Sequence, residues 1–237
     1  MARGDKIIVA LDVNRLDELE HLVNQLRPVI KIFKIGAELF TACGTEAIDT
    51  VRRKGCRVFL DLKYHDIPST VMKAARAAAR QSVYMMTVHT SGGLKMMQKA
   101  VEAAREESAR LRTEPPLILG VTVLTSLDRK DMKSVGIEGG VEEAVLKLVR
   151  LARKAGLDGV IASPKEVSLI RRSTGKNFLI VTPGIRPIWT QRSDQKRVAT
   201  PREAIDMGAD YLVIGRPITA QQDPKSAAEK IIREVGN

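Results

Sequence analysis

Eight apolar runs, each followed by a stretch with helical spacing, succeed one another without a break, and this alternation constrains the fold more than any single motif. The first run, Ile7-Ile8-Val9-Ala10-Leu11-Asp12, reads as a buried strand. Leu16, Leu19, Leu22, Val23 and Leu26 then recur at helical spacing, and Pro28 fits the exit. The same reading places further strands over 31–35, 57–62, 83–88, 117–123, 159–162, 178–181 and 210–214. Between and after them, helices are expected over 38–54, 68–80, 94–111, 141–154, 165–172, 201–207 and 227–235. Continuous Val/Ile/Leu runs suit parallel strands covered on both faces. Eight such units in 237 residues approach the size of a closed α/β barrel, the (β/α)8 or TIM barrel, expected as a single catalytic domain over 1–237. An open dinucleotide-binding sheet fits less well, because no GxGxxG follows the first strand.

In such a barrel, chemistry sits at the C-terminal strand ends. Asp12 ends the first strand, and Lys34 lies near the end of the second. The third run closes on Phe59-Leu60-Asp61-Leu62-Lys63-Tyr64-His65-Asp66-Ile67-Pro68. Asp61 and Lys63 are two apart and on a strand share a face. Opposite charges crowded there are costly to desolvate unless they compensate each other, which points to a reactive site. Asp66 falls where the chain should turn. His89 ends the fourth strand and is a candidate for the mouth, whereas His65 reads better as a loop-packing residue. Thr125 and Ser126 follow the fifth strand. Gly215-Arg216 follows the eighth, where glycine lets backbone approach closely and arginine suits phosphate oxygens. Thr182-Pro183-Gly184-Ile185-Arg186 opens the other expected phosphate loop, and its polar continuation to Thr200 is long enough to act as a lid.

The net charge of +11 admits a nucleic-acid partner, but the basic residues are dispersed among acids and aromatics are 3% of the chain, too few for stacking platforms. A basic enzyme with a small anionic substrate fits better. Cys43 and Cys56 form neither a disulfide framework nor a CxxC pair, and three histidines give no clustered zinc pattern. No apolar run approaches the roughly 20 residues that span a bilayer. A cytoplasmic protein with no membrane and no nucleic-acid partner is expected.

The motifs Ala10-Leu11-Asp12, Phe33-Lys34-Ile35-Gly36, Asp61 to Pro68, Thr87-Val88-His89, Thr182 to Arg186 and Val213-Ile214-Gly215-Arg216-Pro217-Ile218 together resemble the orotidine 5′-phosphate decarboxylase family over nearly the whole chain. Related barrels that act on sugar phosphates, 3-keto-L-gulonate 6-phosphate decarboxylase and hexulose-phosphate synthase, share only the shorter Asp-x-Lys pattern and are metal-dependent. The resemblance implies decarboxylation of orotidine 5′-monophosphate to UMP and CO2, with no metal and no organic cofactor. It implies a catalytic array of Lys34, Asp61, Lys63 and Asp66, with Lys63 protonating C6 of the pyrimidine. Asp12 would contact the ribose, Thr125 the pyrimidine, and Gln195, Gly215 and Arg216 the phosphate; Pro183 and Arg186 are further candidates. It also implies a homodimer in which Asp66 completes the site of the partner subunit.

Overall fold

Eight parallel strands, β1 (Ile7–Leu11), β2 (Ile32–Gly36), β3 (Arg57–Tyr64), β4 (Met85–His89), β5 (Leu117–Val121), β6 (Gly159–Ile161), β7 (Leu179–Thr182) and β8 (Tyr211–Ile214), close into a barrel in sequence order. The structure is a computed structural model that describes residues 3–190 and 199–236. The helices are α1 (Leu16–Leu26), α2 (Ala37–Cys43), α3 (Glu46–Arg53), α4 (Pro68–Arg80), α5 (Leu94–Leu111), α6 (Arg129–Ser134), α7 (Val141–Lys154), α8 (Pro164–Thr174), α9 (Pro201–Asp206), α10 (Arg216–Thr219) and α11 (Pro224–Gly236). The α/β barrel read from the alternation is thus the observed architecture.

Two cores follow from the pleat. One side of each strand packs against the helices, where Ile7, Val9, Phe33, Ile35, Leu60 and Met86 meet Leu19, Val23, Ile48 and Val71. The alternate residues fill the barrel: Ile8, Ala10, Ile32, Phe59, Met85, Leu119, Val181, Tyr211 and Val213. Each fully buried Ile, Leu or Phe contributes about 1.5–3 kcal/mol of apolar transfer. Following the same period upward from Ile32, Phe59 and Met85 gives Lys34, Asp61 and Thr87, so the inner stack changes from apolar to charged near the C-terminal end.

Local chemistry sets the element ends. The helix expected over 38–54 is two helices, because Gly44 adopts φ 58° and the chain restarts at Glu46. Ser163-Pro164-Lys165-Glu166 and Thr200-Pro201-Arg202-Glu203 start α8 and α9 as capping boxes with proline in the first turn. The Thr200 box pins the return of the long β7–α9 connection. Below the barrel, the Arg171 guanidinium donates to the carbonyls of Gly175, Phe178 and Gly208 and to Asp210 Oδ2, which also accepts from the Ile180 amide at 2.8 Å. These bonds tie α8 to the starts of β7 and β8, at the face opposite the mouth.

Candidate active site

Strand register delivers the charges. Ala10 pairs with Lys34 between β1 and β2, and Asp12 follows immediately beyond the end of β1. Gly36 pairs with Asp61 between β2 and β3. Between β3 and β4 the ladder pairs Leu60 with Met86 and resumes at Tyr64 with Val88, so β3 bulges through Asp61, Leu62 and Lys63. Lys63 takes φ 51°, a region that non-glycine residues seldom occupy. The shared strand face expected for Asp61 and Lys63 is therefore a bulged one, but their side chains do meet: Lys63 Nζ donates to Asp61 Oδ2 at 2.9 Å.

Lys34 Nζ lies 3.7 Å from Asp61 Oδ2 and 3.5 Å from Asp12 Oδ1. Asp12, Lys34, Asp61 and Lys63 thus form a row of alternating sign, each charge facing an opposite one. Burial varies along it: the Asp61 and Lys34 side chains are 11% and 12% exposed, Lys63 is 39% exposed, and Asp12 is open to solvent. Among the described residues, Asp61 is the one ion-pair partner of Lys63. The other oxygen of Asp61 accepts from Thr87 Oγ1 at 3.0 Å.

Two adjoining cavities open over this row. One, of about 200 Å³, is walled by Phe59, Val121, Val123, Ile161 and Val213, with Asp61 and Lys63 in its lining and Thr125 at its side. The other, of about 150 Å³, is lined by Asp12, Gly184, Arg186, Gly215 and Arg216. Lys34, Pro183 and Val213 line both. An apolar slot that includes an ammonium–carboxylate pair thus adjoins a polar recess with two arginines, a side chain suited to anionic oxygens. Gly215 also makes room for Asp12, since a Cβ there would stand 3.2 Å from Asp12 Oδ2.

Not every candidate joins this assembly. Asp66 is exposed in the β3–α4 turn, where its Oδ1 accepts from the Ile67 amide at 2.6 Å, and it makes no ion pair among the described residues. His89 lines neither cavity; it stacks on His65 with ring centroids 5.2 Å apart, and burial, reinforced by His65 and Lys63, pushes its imidazole below the usual range. The ring of His89 therefore stands beside the charged row, against His65, rather than in the wall of either cavity. Gln195 and most of the expected lid lie outside the described residues. The chemistry of Thr87 carries no signal in the sequence; its one pointer is its place two residues after inward-facing Met85. Among the described residues, no group of three or more His, Cys, Asp or Glu side chains is disposed to hold a metal ion.

Residues 5–231 match the profile of the orotidine 5′-phosphate decarboxylase / HUMPS family. The chain belongs to that family. It is 55% identical to the orotidine 5′-phosphate decarboxylase of Moorella thermoacetica over 99% of this chain and 94% of that protein. It is 52% identical to the Pelobacter propionicus enzyme of the same name, over 97% of this chain and 95% of that protein. Among solved structures, the orotidine 5′-phosphate decarboxylase of Lactobacillus acidophilus superposes with a TM-score of 0.86 at 36% identity, covering 98% of this chain and 100% of that one. An uncharacterized conserved protein of Geobacillus kaustophilus superposes with a TM-score of 0.85 at 33% identity, covering 97% of this chain and 99% of that one. Family membership agrees with a charged row at the mouth of a barrel, and the decarboxylase motifs span the same strands that build it.

Proposed function

We propose that this chain decarboxylates orotidine 5′-monophosphate to UMP and CO2, the closing step of UMP formation. The observation that carries the reading is the continuity of the two cavities through Lys34, Pro183 and Val213. The pyrimidine occupies the apolar slot beside Thr125, the ribose meets Asp12 and Lys34, and the phosphate meets Gly215, Arg216 and Arg186. Gln195 is assigned to the phosphate by motif alone. The excess of basic residues favours capture of so anionic a substrate.

In the chemical step the bond from C6 to its carboxylate breaks and the electron pair stays on C6. That pair lies in an sp2 orbital in the ring plane, so the π system cannot take it up. The Lys63 ammonium stabilises it electrostatically and then transfers a proton to C6; the neutral amine regains a proton from solvent. Asp61 aims Lys63 through their 2.9 Å bond, and Lys34 keeps Asp61 in place. Preorganised charge at the reacting centre is the main source of rate. The phosphate recess contributes remote binding energy that holds the assembled state together. No step calls for a metal or an organic cofactor: the ammonium groups already stand against the carboxylates that a cation would need.

The solvent-facing side of Lys63 invites a second carboxylate. Asp66 and the neighbouring Ile67, itself 63% exposed, form an acidic and apolar projection suited to a partner's site. A homodimer in which Asp66 of the partner subunit reaches Lys63 accounts for both features. Cys43 and Cys56 are free thiols, which suits the reducing cytoplasm as the location. No described helix is long and apolar enough to cross a membrane.

Purified protein with orotidine 5′-monophosphate and EDTA is expected to release UMP and CO2. Turnover of 3-keto-L-gulonate 6-phosphate with magnesium, and none of orotidine 5′-monophosphate, would move the chain to the metal-dependent branch. Lys63→Ala should lower kcat by about ten-thousand-fold, the combined worth of a proton donor and its charge. Mixed Lys63→Ala and Asp66→Ala subunits should recover activity through the one intact site of the heterodimer. No recovery in verified heterodimers would sink the shared-site arrangement.

A further inference from the structure

The Thr87 hydroxyl, fully buried in β4, has both of its hydrogen-bonding functions committed to the two residues on which the proposed chemistry depends. It accepts from the Lys63 backbone amide at 2.9 Å and donates to Asp61 Oδ1 at 3.0 Å. The direction of both bonds is forced. A backbone amide can only donate and an ionised carboxylate can only accept, so the hydroxyl proton points at Asp61 and its lone pair at Lys63.

The bulge explains why such a bridge is needed. Where β3 leaves its ladder with β4 between Leu60 and Tyr64, the Lys63 amide pairs instead with the Thr87 side chain. Lys63 sits there at φ 51°, a conformation that persists only when its surroundings impose it. By occupying Asp61 Oδ1, the same hydroxyl leaves Oδ2 to face Lys63 Nζ at 2.9 Å and Lys34 Nζ at 3.7 Å. One side chain therefore sets the backbone from which the lysine springs and the carboxylate toward which it points.

We infer that Thr87 is a positioning residue for decarboxylation, holding the Asp61–Lys63 pair in register through its hydroxyl. The inference rests on the assignment of that pair as the catalytic one. A threonine that merely filled space in β4 would be replaceable by valine, which has the same shape. Here valine would strand a buried amide and a carboxylate oxygen at the reacting centre.

The test compares Thr87→Val, Thr87→Ser and Lys63→Ala with the unaltered protein, measuring kcat and KM for orotidine 5′-monophosphate, the dissociation constant of UMP, and the thermal midpoint. Thr87→Val should lower kcat about 10- to 100-fold, as expected for a reacting group displaced by up to an ångström, with UMP affinity nearly unchanged. Thr87→Ser, which keeps the hydroxyl, should restore most of kcat. Should the valine variant not fold, Thr87→Cys, similar in size and poor at both bonds, supplies the same comparison. Full kcat without the hydroxyl, equal losses in the serine and valine variants, or a loss of UMP binding that parallels kcat would each overturn the inference. Undiminished turnover by Lys63→Ala would instead remove the catalytic pair itself.

Discussion

Gly36→Ala should separate activity from stability. Gly36 ends β2 at φ −93° and ψ −177°, an extended backbone that alanine adopts without strain. Limiting the unfolded chain should then add about 0.4–1 kcal/mol of stability, or roughly 1–4 °C in Tm for a chain of this size. The new methyl, however, would stand 3.0 Å from Lys34 Nζ and 4.0 Å from Asp12 Oδ1. Ordinary contact begins near 3.5 Å, so the ammonium must retreat by about 0.5 Å. It has little room to do so, being 12% exposed and held 3.5 Å from Asp12 and 3.7 Å from Asp61. Since a misplacement of about 1 Å at a reacting centre can cost a hundredfold, half of it should lower kcat about tenfold. Steady-state assay of orotidine 5′-monophosphate turnover, beside a thermal melt, reads both effects. An unchanged kcat would refute the claim that Lys34 is confined, and a lowered Tm would show that displacing the ammonium from its ion pairs costs more than the backbone gains.

Two further outcomes follow from other parts of the molecule. Arg171→Met should cost about 2–4 kcal/mol in denaturant unfolding, because it leaves Asp210 and three carbonyls without their guanidinium, while kcat at 25 °C stays level because the cluster lies opposite the mouth; a parallel loss of kcat would contradict that separation. His89 titrates below its unfolded value because of burial, His65 and Lys63, with Asp61 opposing, so the unfolded chain takes up more protons as pH falls. Its contribution is thus complete above about pH 6.5 and declines as pH drops toward the folded value, and thermal midpoints from pH 8 to 5 should fall less in His89→Gln than in the unaltered protein; identical profiles would dismiss His89 as their source.

Legibility in the sequence depended on how local the determining physics was. Helices α5 and α7 were legible to the residue, since each is a long, uninterrupted amphipathic stretch with clear ends. The expected helix over 38–54 failed at Gly44, where one left-handed residue outweighs an otherwise continuous apolar period. Helix α6 has no periodic signature, because six residues are too few to show one; its signal is the Asp128–Asp131 capping box. Asp61 and Lys63 were visible as charges where apolar residues belonged. Thr87 was silent, because a threonine inside a strand is ordinary until the neighbouring strand places a carboxylate and a stranded amide beside it. The bulge in β3 was equally hidden: it arises from pairing with β4, which no window on β3 contains.

The two residues Phe59 and Val213 belong at once to the packed interior of the barrel and to the wall of the apolar cavity. On the proposed placement of the pyrimidine, the shape offered to its ring is the upper surface of the same packing that keeps the barrel closed. Truncating either residue would deepen the slot and loosen the barrel together. Altering the accepted ring through these positions therefore demands compensating volume lower in the stack, at Ile8, Ile32 or Met85, whereas Thr125 at the cavity's side can change without that debt.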